Sequence, residues 1–152
     1  MPPARGVHLF YAWRPMDCIH ITDLEAAINH WRARCTAAPD FALPSPMREL
    51  ADAYARMIVQ HATEIAPEAL PAEALQAWLD WYDTLPDTPC IAICSTSQGD
   101  NECKGCGRSF AEVQHWPGMS PFAKRAVWRR IIAQGSALRF TRYAERAAER
   151  QP

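Results

Sequence analysis

The stretch Pro89-Cys-Ile-Ala-Ile-Cys-Ser-Thr-Ser-Gln-Gly-Asp-Asn-Glu-Cys-Lys-Gly-Cys-Gly-Arg-Ser-Phe-Ala-Glu-Val-Gln-His-Trp116 decides how this chain reads. Four of its six cysteines fall here, Cys90, Cys94, Cys103 and Cys106, spaced Cys-x3-Cys-x8-Cys-x2-Cys. Two close pairs joined by a short loop are the spacing of metal ligands, because one tight turn can present two thiolates to one ion. Gly105 and Gly107 permit positive φ and close backbone approach, so amide N–H groups can point at the sulfurs. Lys104 and Arg108 add positive charge, which favours thiolate over thiol.

Outward from the cysteines the sequence reads as helix. Ser109 to Glu112 has the capping-box pattern, so a helix is expected to begin three residues after Cys106, with Phe110, Val113 and Trp116 facing inward. Ser120-Pro121 caps another, whose Val127, Trp128, Ile131 and Ile132 form an apolar stripe. Beyond it Arg139, Arg142, Arg146 and Arg150 recur at three- and four-residue steps along one side of a last helix. Phe140, Tyr143, Ala144 and Ala147 lie on its opposite side. That row is a candidate nucleic-acid track, although Glu145 and Glu149 offset part of its field and such rows are commonly solvated faces.

Upstream, Thr22-Asp23-Leu24-Glu25 is also a capping box, predicting a helix with Leu24, Ala27, Ile28, Trp31 and Cys35 inward. Ser45-Pro46 reads as an N-cap followed by proline at the first helical position. The helix it opens carries Met47, Leu50, Ala51, Tyr54, Met57, Ile58 and His61 on one stripe. Pro71 to Asp83 repeats the pattern with Leu75, Trp78, Leu79 and Tyr82. Ile19 to Ile21 is a short extended piece. Over residues 1–15 two readings stand: Met16 is the natural start, or Val7, Leu9 and Tyr11 form one face of a strand-like arm.

The expected architecture is mainly α: a three-helix unit over 16–83, a linker over 84–88, and over 89–152 a four-cysteine metal knuckle followed by two or three helices, ending in a basic one. At 152 residues, 49% of them apolar and six of them Trp, the chain can bury a sizeable core. The net charge of −1 hides an asymmetry, since Ser120 to Pro152 holds eight Lys or Arg against two Glu. No apolar run approaches the ~18 residues of a membrane helix. A cytoplasmic protein is expected, and in a reducing compartment clustered cysteines bind metal more often than they form disulfides.

Two family resemblances follow. Ile19-His-Ile-Thr-Asp-Leu-Glu-Ala-Ala-Ile-Asn-His-Trp-Arg32 with Leu50-Ala-Asp-Ala-Tyr-Ala-Arg-Met-Ile58 resembles a small bacterial domain of unknown function, number 3717, which brings no activity with it. Pro89-Cys90-Ile91, Cys94, Cys103-x-Gly105-Cys106-Gly107-Arg108-Ser109, Glu112-Val113, Trp116, Met119-Ser120 and Val127-Trp128 resemble domain of unknown function 1289, whose members are described as predicted iron-sulfur proteins. The second resemblance implies a metal at the four cysteines without deciding zinc against iron. A small fold and a glycine-flanked Cys-x2-Cys make zinc the expectation, with an iron-sulfur cluster as the alternative.

Other candidates have simpler readings. Cys18, His20, His30 and Cys35 follow strand alternation and helix spacing rather than a second site. His115 reads as a helix residue rather than a fifth ligand. A Gly-rich phosphate loop, a nucleophile elbow and a His-Glu-x-x-His helix are lacking, and four cysteines filling a coordination sphere leave no open position for substrate. The sequence therefore leads to a non-catalytic, metal-binding adaptor whose partner is a protein. The alternatives are an iron-sulfur electron carrier and a regulator that binds nucleic acid through its basic C-terminal helix.

Overall fold

The computed structural model describes residues 17–35 and 44–141. It is mainly helical, with α1 (Ile21–Arg34), α2 (Ser45–Val59), α3 (Ala72–Tyr82), α4 (Phe110–His115) and α5 (Pro121–Gln134). Among the described residues a single two-stranded sheet pairs β1 (Ile19–His20) antiparallel with β2 (Glu64–Ile65), Ile19 opposite Ile65 and His20 opposite Glu64. The leader and residues 142–152 of the expected basic helix lie outside the described residues.

Helices α1, α2 and α3 enclose a core of Ile19, Leu24, Ala27, Leu50, Ala53, Met57, Leu70, Ala74, Ala77, Trp78, Trp81 and Tyr82. Fully burying an aliphatic side chain such as Leu24 or Leu50 contributes about 1.5–3 kcal/mol relative to exposure. Trp78 is the centrepiece: it stacks on Tyr82 at 5.8 Å and meets Trp81 edge-on at 5.6 Å. A second core gathers Trp116, Met119, Ala123, Val127, Trp128 and Ile131 around α5.

Several local expectations need correction. The Thr22–Glu25 capping box does not open α1, because His20 is the N-cap and its Nδ1 accepts from Thr22 N–H. Pairing of β1 with β2, continued by Ile21 N–H to the Thr63 carbonyl at 2.8 Å, fixes the helix entry two residues earlier. Pro44 rather than Ser45 caps α2, and the Ser45 hydroxyl donates to Glu73 instead. Cys35 is exposed at the C-cap of α1, and Phe110 and Ile132 are also exposed. His61 falls past the end of α2, at φ 52. The expected caps at Ser109–Glu112 and Ser120 are both present.

The two cores meet across α5. Phe122 packs on Trp78 at 4.9 Å, and the Arg125 guanidinium lies over the Trp81 ring at 5.5 Å. Between them sits Asp23, 2% exposed, which accepts from Arg125 at 2.8 Å on one oxygen and pairs with Arg129 on the other. Asp87 makes a further tie: Lys124 donates to it at 2.6 Å, and the Trp116 indole N–H and Tyr82 hydroxyl also donate. The Lys124 hydrogen bond holds the Asp87 carboxyl below its usual range, while burial, with Asp87 beside it, pushes Tyr82 up to about 12.

Removing one member of a buried ion-pair network strands the others. Asp23→Ala is expected to lower unfolding stability by about 3 kcal/mol, the low end for a buried pair because both arginines keep some exposure. Urea unfolding of the full chain measures it; a loss below ~1 kcal/mol, the ordinary worth of a surface pair, would contradict this account.

Candidate metal centre

The cysteine turn is built by the backbone. Glu102 and Ser109 form an antiparallel bridge, and inside it Cys103 N–H donates to the Arg108 carbonyl and Gly107 N–H to the Cys103 carbonyl, each at 2.7 Å. Gly107 sits at φ 82, in the left-handed region that favours glycine, and a Cβ there would lie 3.2 Å from Ile131 Cγ2. Gly105 is pressed harder: a Cβ would fall 2.1 Å from the Ile93 carbonyl oxygen. The segment bearing Cys90 and Cys94 therefore lies directly against the turn bearing Cys103 and Cys106.

Two neighbours hold that arrangement. The Ser95 hydroxyl accepts from Lys104 N–H at 2.8 Å, and on the other side Leu138 and Arg139 N–H donate to the Lys104 and Gly105 carbonyls at 2.9 and 3.0 Å. The Arg139 side chain donates to the Pro89 carbonyl at 2.7 Å and lies over Trp128 at 4.7 Å. Arg139 thus sits in a 3-10 turn over Leu138–Phe140 with its guanidinium turned onto the cysteine unit, while Arg142, Arg146 and Arg150 lie outside the described residues.

Each of the four sulfurs meets a polar group two residues on. Ala92 N–H donates to Cys90 Sγ at 3.4 Å, an approach made by Ala92 adopting φ 63. Cys94 Sγ and Thr96 Oγ1 are 3.1 Å apart. Backbone N–H groups of Gly105 and Cys106 reach Cys103, and that of Arg108 reaches Cys106, where Arg108 Nε also donates at 3.4 Å. N–H groups converging on a sulfur are the environment that stabilises a thiolate ligand. Burial pushes the Cys103 thiol up, but the amides of Cys106, Ser95 and Gly105 outweigh it and bring it below the ordinary thiol range. Burial dominates at Cys106 and leaves it raised despite Arg108.

Cys103 and Cys106 are buried and hydrogen-bonded to one another; Cys90 and Cys94 are exposed on the adjoining segment. All six cysteines are free thiols, and among the described residues no group of three or more His, Cys, Asp or Glu is placed so as to hold a metal ion. The donor set nonetheless fits one in its chemistry. Soft thiols, amide donors on three of them, and a turn with no room for a Cβ at Gly105 are what a thiolate-bound ion requires. Of the four, Cys103 and Cys106 are the buried pair, and the exposed Cys90 and Cys94 lie on the segment whose Ile93 carbonyl is pressed against Gly105.

The remaining candidates have other partners. Lys104 is exposed and pairs with Asp100 at 3.1 Å, away from the sulfurs. His115 Nδ1 bonds the Ala111 carbonyl, His20 caps α1, and His30 bonds Arg34. Sequence reasoning missed Ser95, Thr96 and the Ala137–Arg139 strap. A cavity of about 430 Å³ beside Cys103 is lined by Glu102, Lys104, Ser136, Ala137 and Leu138. Ser95 and Thr96 had one visible signal, a hydroxyl run directly after Cys94 of the kind that closes turns.

Comparison with known families agrees with both resemblances and their order. Residues 17–83 match the family model described as protein of unknown function DUF3717, and residues 88–134 match that of protein of unknown function DUF1289. No curated protein and no solved structure matches the chain.

The close approach at Gly105 gives a sharp test of this geometry. Gly105→Ala, which overlaps a carbonyl oxygen, is expected to cost on the order of 1–3 kcal/mol. Gly118→Ala, with nothing within 4 Å of the added Cβ, is expected to stay within about 0.5 kcal/mol of wild type. Thermal unfolding of the pair checks it, and equal behaviour would mean that the two cysteine segments are not pressed together.

Proposed function

We propose that the pairing of these two segments makes a non-catalytic metal-binding adaptor, in which one ion held by Cys90, Cys94, Cys103 and Cys106 fixes the knuckle and through it the helices on either side. The observation that supports this reading most strongly is the repeated polar contact from residue i+2 to sulfur, at both the 90–94 and the 103–106 pairs.

When bound, the ion supplies cross-linking: it ties two chain segments with four strong bonds, worth far more than the sparse apolar contacts of so small a unit. The chain's own residues do the rest. Gly105 and Gly107 let the turn close, the amides of Gly105, Cys106 and Arg108 lower the cost of negative sulfur, and the Ala137–Arg139 strap satisfies the outward carbonyls of the turn. Four thiolates leave no position for substrate, which points to a structural rather than a hydrolytic ion. Zinc is the preferred ion; an iron-sulfur cluster on the same four thiols would make the protein an electron carrier. The partner in the adaptor reading is another protein. Among the described residues no helix is long and apolar enough to cross a membrane, and the free thiols suit the reducing cytoplasm in which we place the protein.

Amide hydrogen exchange on the full chain, before and after chelation, tests the structural role. The amides of Gly105, Cys106 and Arg108 are expected to exchange at least about tenfold faster once metal is removed, equivalent to 1.4 kcal/mol of lost local stability. The core amides of α1 to α3 are expected to change little. Unchanged exchange at the turn would overturn the reading.

A further inference from the structure

Two charged side chains among the described residues are buried, Asp23 and Arg108. Asp23 is answered by two arginines. Arg108, 5% exposed, pairs with no carboxylate among the described residues. Its side-chain partners are the Cys106 sulfur, 3.4 Å from Nε, and the Trp116 ring, whose centroid is 4.7 Å from the guanidinium carbon. Arginine stays protonated in proteins, and a guanidinium taken out of water is costly without an anion beside it.

Three carboxylates of this region are engaged elsewhere, and a fourth, Glu102, is exposed beside Cys103. Asp87, which accepts from the Trp116 indole N–H, pairs with Lys124; Glu112 pairs with Arg130 at 2.5 Å; Asp100 pairs with Lys104. The other nearby cations are also accounted for. Lys104 points to solvent, Arg130 donates to the Gly107 carbonyl and to Glu112, and Arg139 donates to the Pro89 carbonyl and lies over Trp128. That leaves one buried cation aimed at one sulfur of the four.

Four thiolates around a divalent ion carry a formal charge of minus two, and its share on the buried pair Cys103 and Cys106 needs an offset that water does not supply. We infer that Arg108 is the built-in counter-charge of the four-thiolate centre: its guanidinium, propped by Trp116, neutralises part of that charge through Cys106 and thereby sets how tightly the site holds a divalent ion. This deepens the metal-binding reading and rests on it. Arg108 is a positioning residue in this scheme, since it acts through Cys106 and does not itself bind the ion.

Cobalt(II) is the probe, because thiolate-to-cobalt charge-transfer bands report directly on the sulfur electrons. Affinity is measured on the full chain by competition with a chromophoric chelator, for wild type, Arg108→Gln and Arg108→Lys. A positive charge at sulfur stabilises its lone pairs, so losing that charge moves the band to longer wavelength, a shift that a packing defect alone would not produce. Arg108→Gln is expected to bind about 10–100-fold more weakly with a red-shifted band, and Arg108→Lys to stay within about fivefold of wild type with the band unmoved. Arg108→Gln matching wild type in both readouts would overturn the inference, as would Arg108→Lys falling as far as Arg108→Gln. Should Arg108→Gln fail to fold, Arg108→Lys decides, retention supporting the inference and loss overturning it. Failure of wild type to bind cobalt at all would instead sink the metal reading, and this inference with it.

Discussion

The carboxylate of Asp23, buried in the first turn of α1 and held by Arg125 and Arg129, is the contact through which the two halves of this protein depend on each other. An acid so enclosed is tolerable only if α5 delivers its arginines, so the three-helix unit reaches its final state only with α5 docked. Once docked, α5 is shared. Its Phe122 and Arg125 face Trp78 and Trp81, while Ile131 lies against Gly107 and Arg130 donates to the Gly107 carbonyl. A run of constraints thus leads from a helix terminus in one unit to the cysteine turn in the other. The family boundary falls between the units, but this packing does not stop there.

Much of the helical plan was readable because it is local. Helical spacing located the three N-terminal helices and α5, and the Ser109–Glu112 capping box and Ser120 cap lie where the sequence put them. Local reading failed where a distant partner intervened. Thr22 lost its capping role to His20 because β2, more than forty residues on, pairs with β1 and sets the helix entry. Trp81 is buried although it lies off the stripe drawn from Leu75 and Trp78, because the face of α3 that enters the three-helix core runs through Ala74, Ala77, Trp78 and Trp81. Asp23 looked like one more polar residue in a capping box, its partners being 102 and 106 residues away.

At the candidate centre the legible part is again what spacing alone can encode: two close cysteine pairs and the glycines that let a turn tighten. The structure adds the pressing of Ile93 onto Gly105, the strap at Ala137–Arg139, and the hydroxyls of Ser95 and Thr96. The Ile93, strap and Ser95 contacts have no spacing signature, since each joins segments whose separation carries no period, whereas Thr96 meets Cys94 only two residues back. Arg108 lies between the two cases. Its place beside Cys106 was visible as positive charge, but its burial without a carboxylate required the fold.

The most direct measurement is metal and acid-labile sulfide content, with an absorption spectrum, on the full chain purified without oxygen beside Cys103→Ser. The account predicts about one zinc per chain, no visible band, and loss of metal in the variant. Iron with sulfide and a visible band would contradict the structural-zinc reading and make the same four thiols a redox centre. Absence of metal from the wild-type protein would contradict the central claim outright.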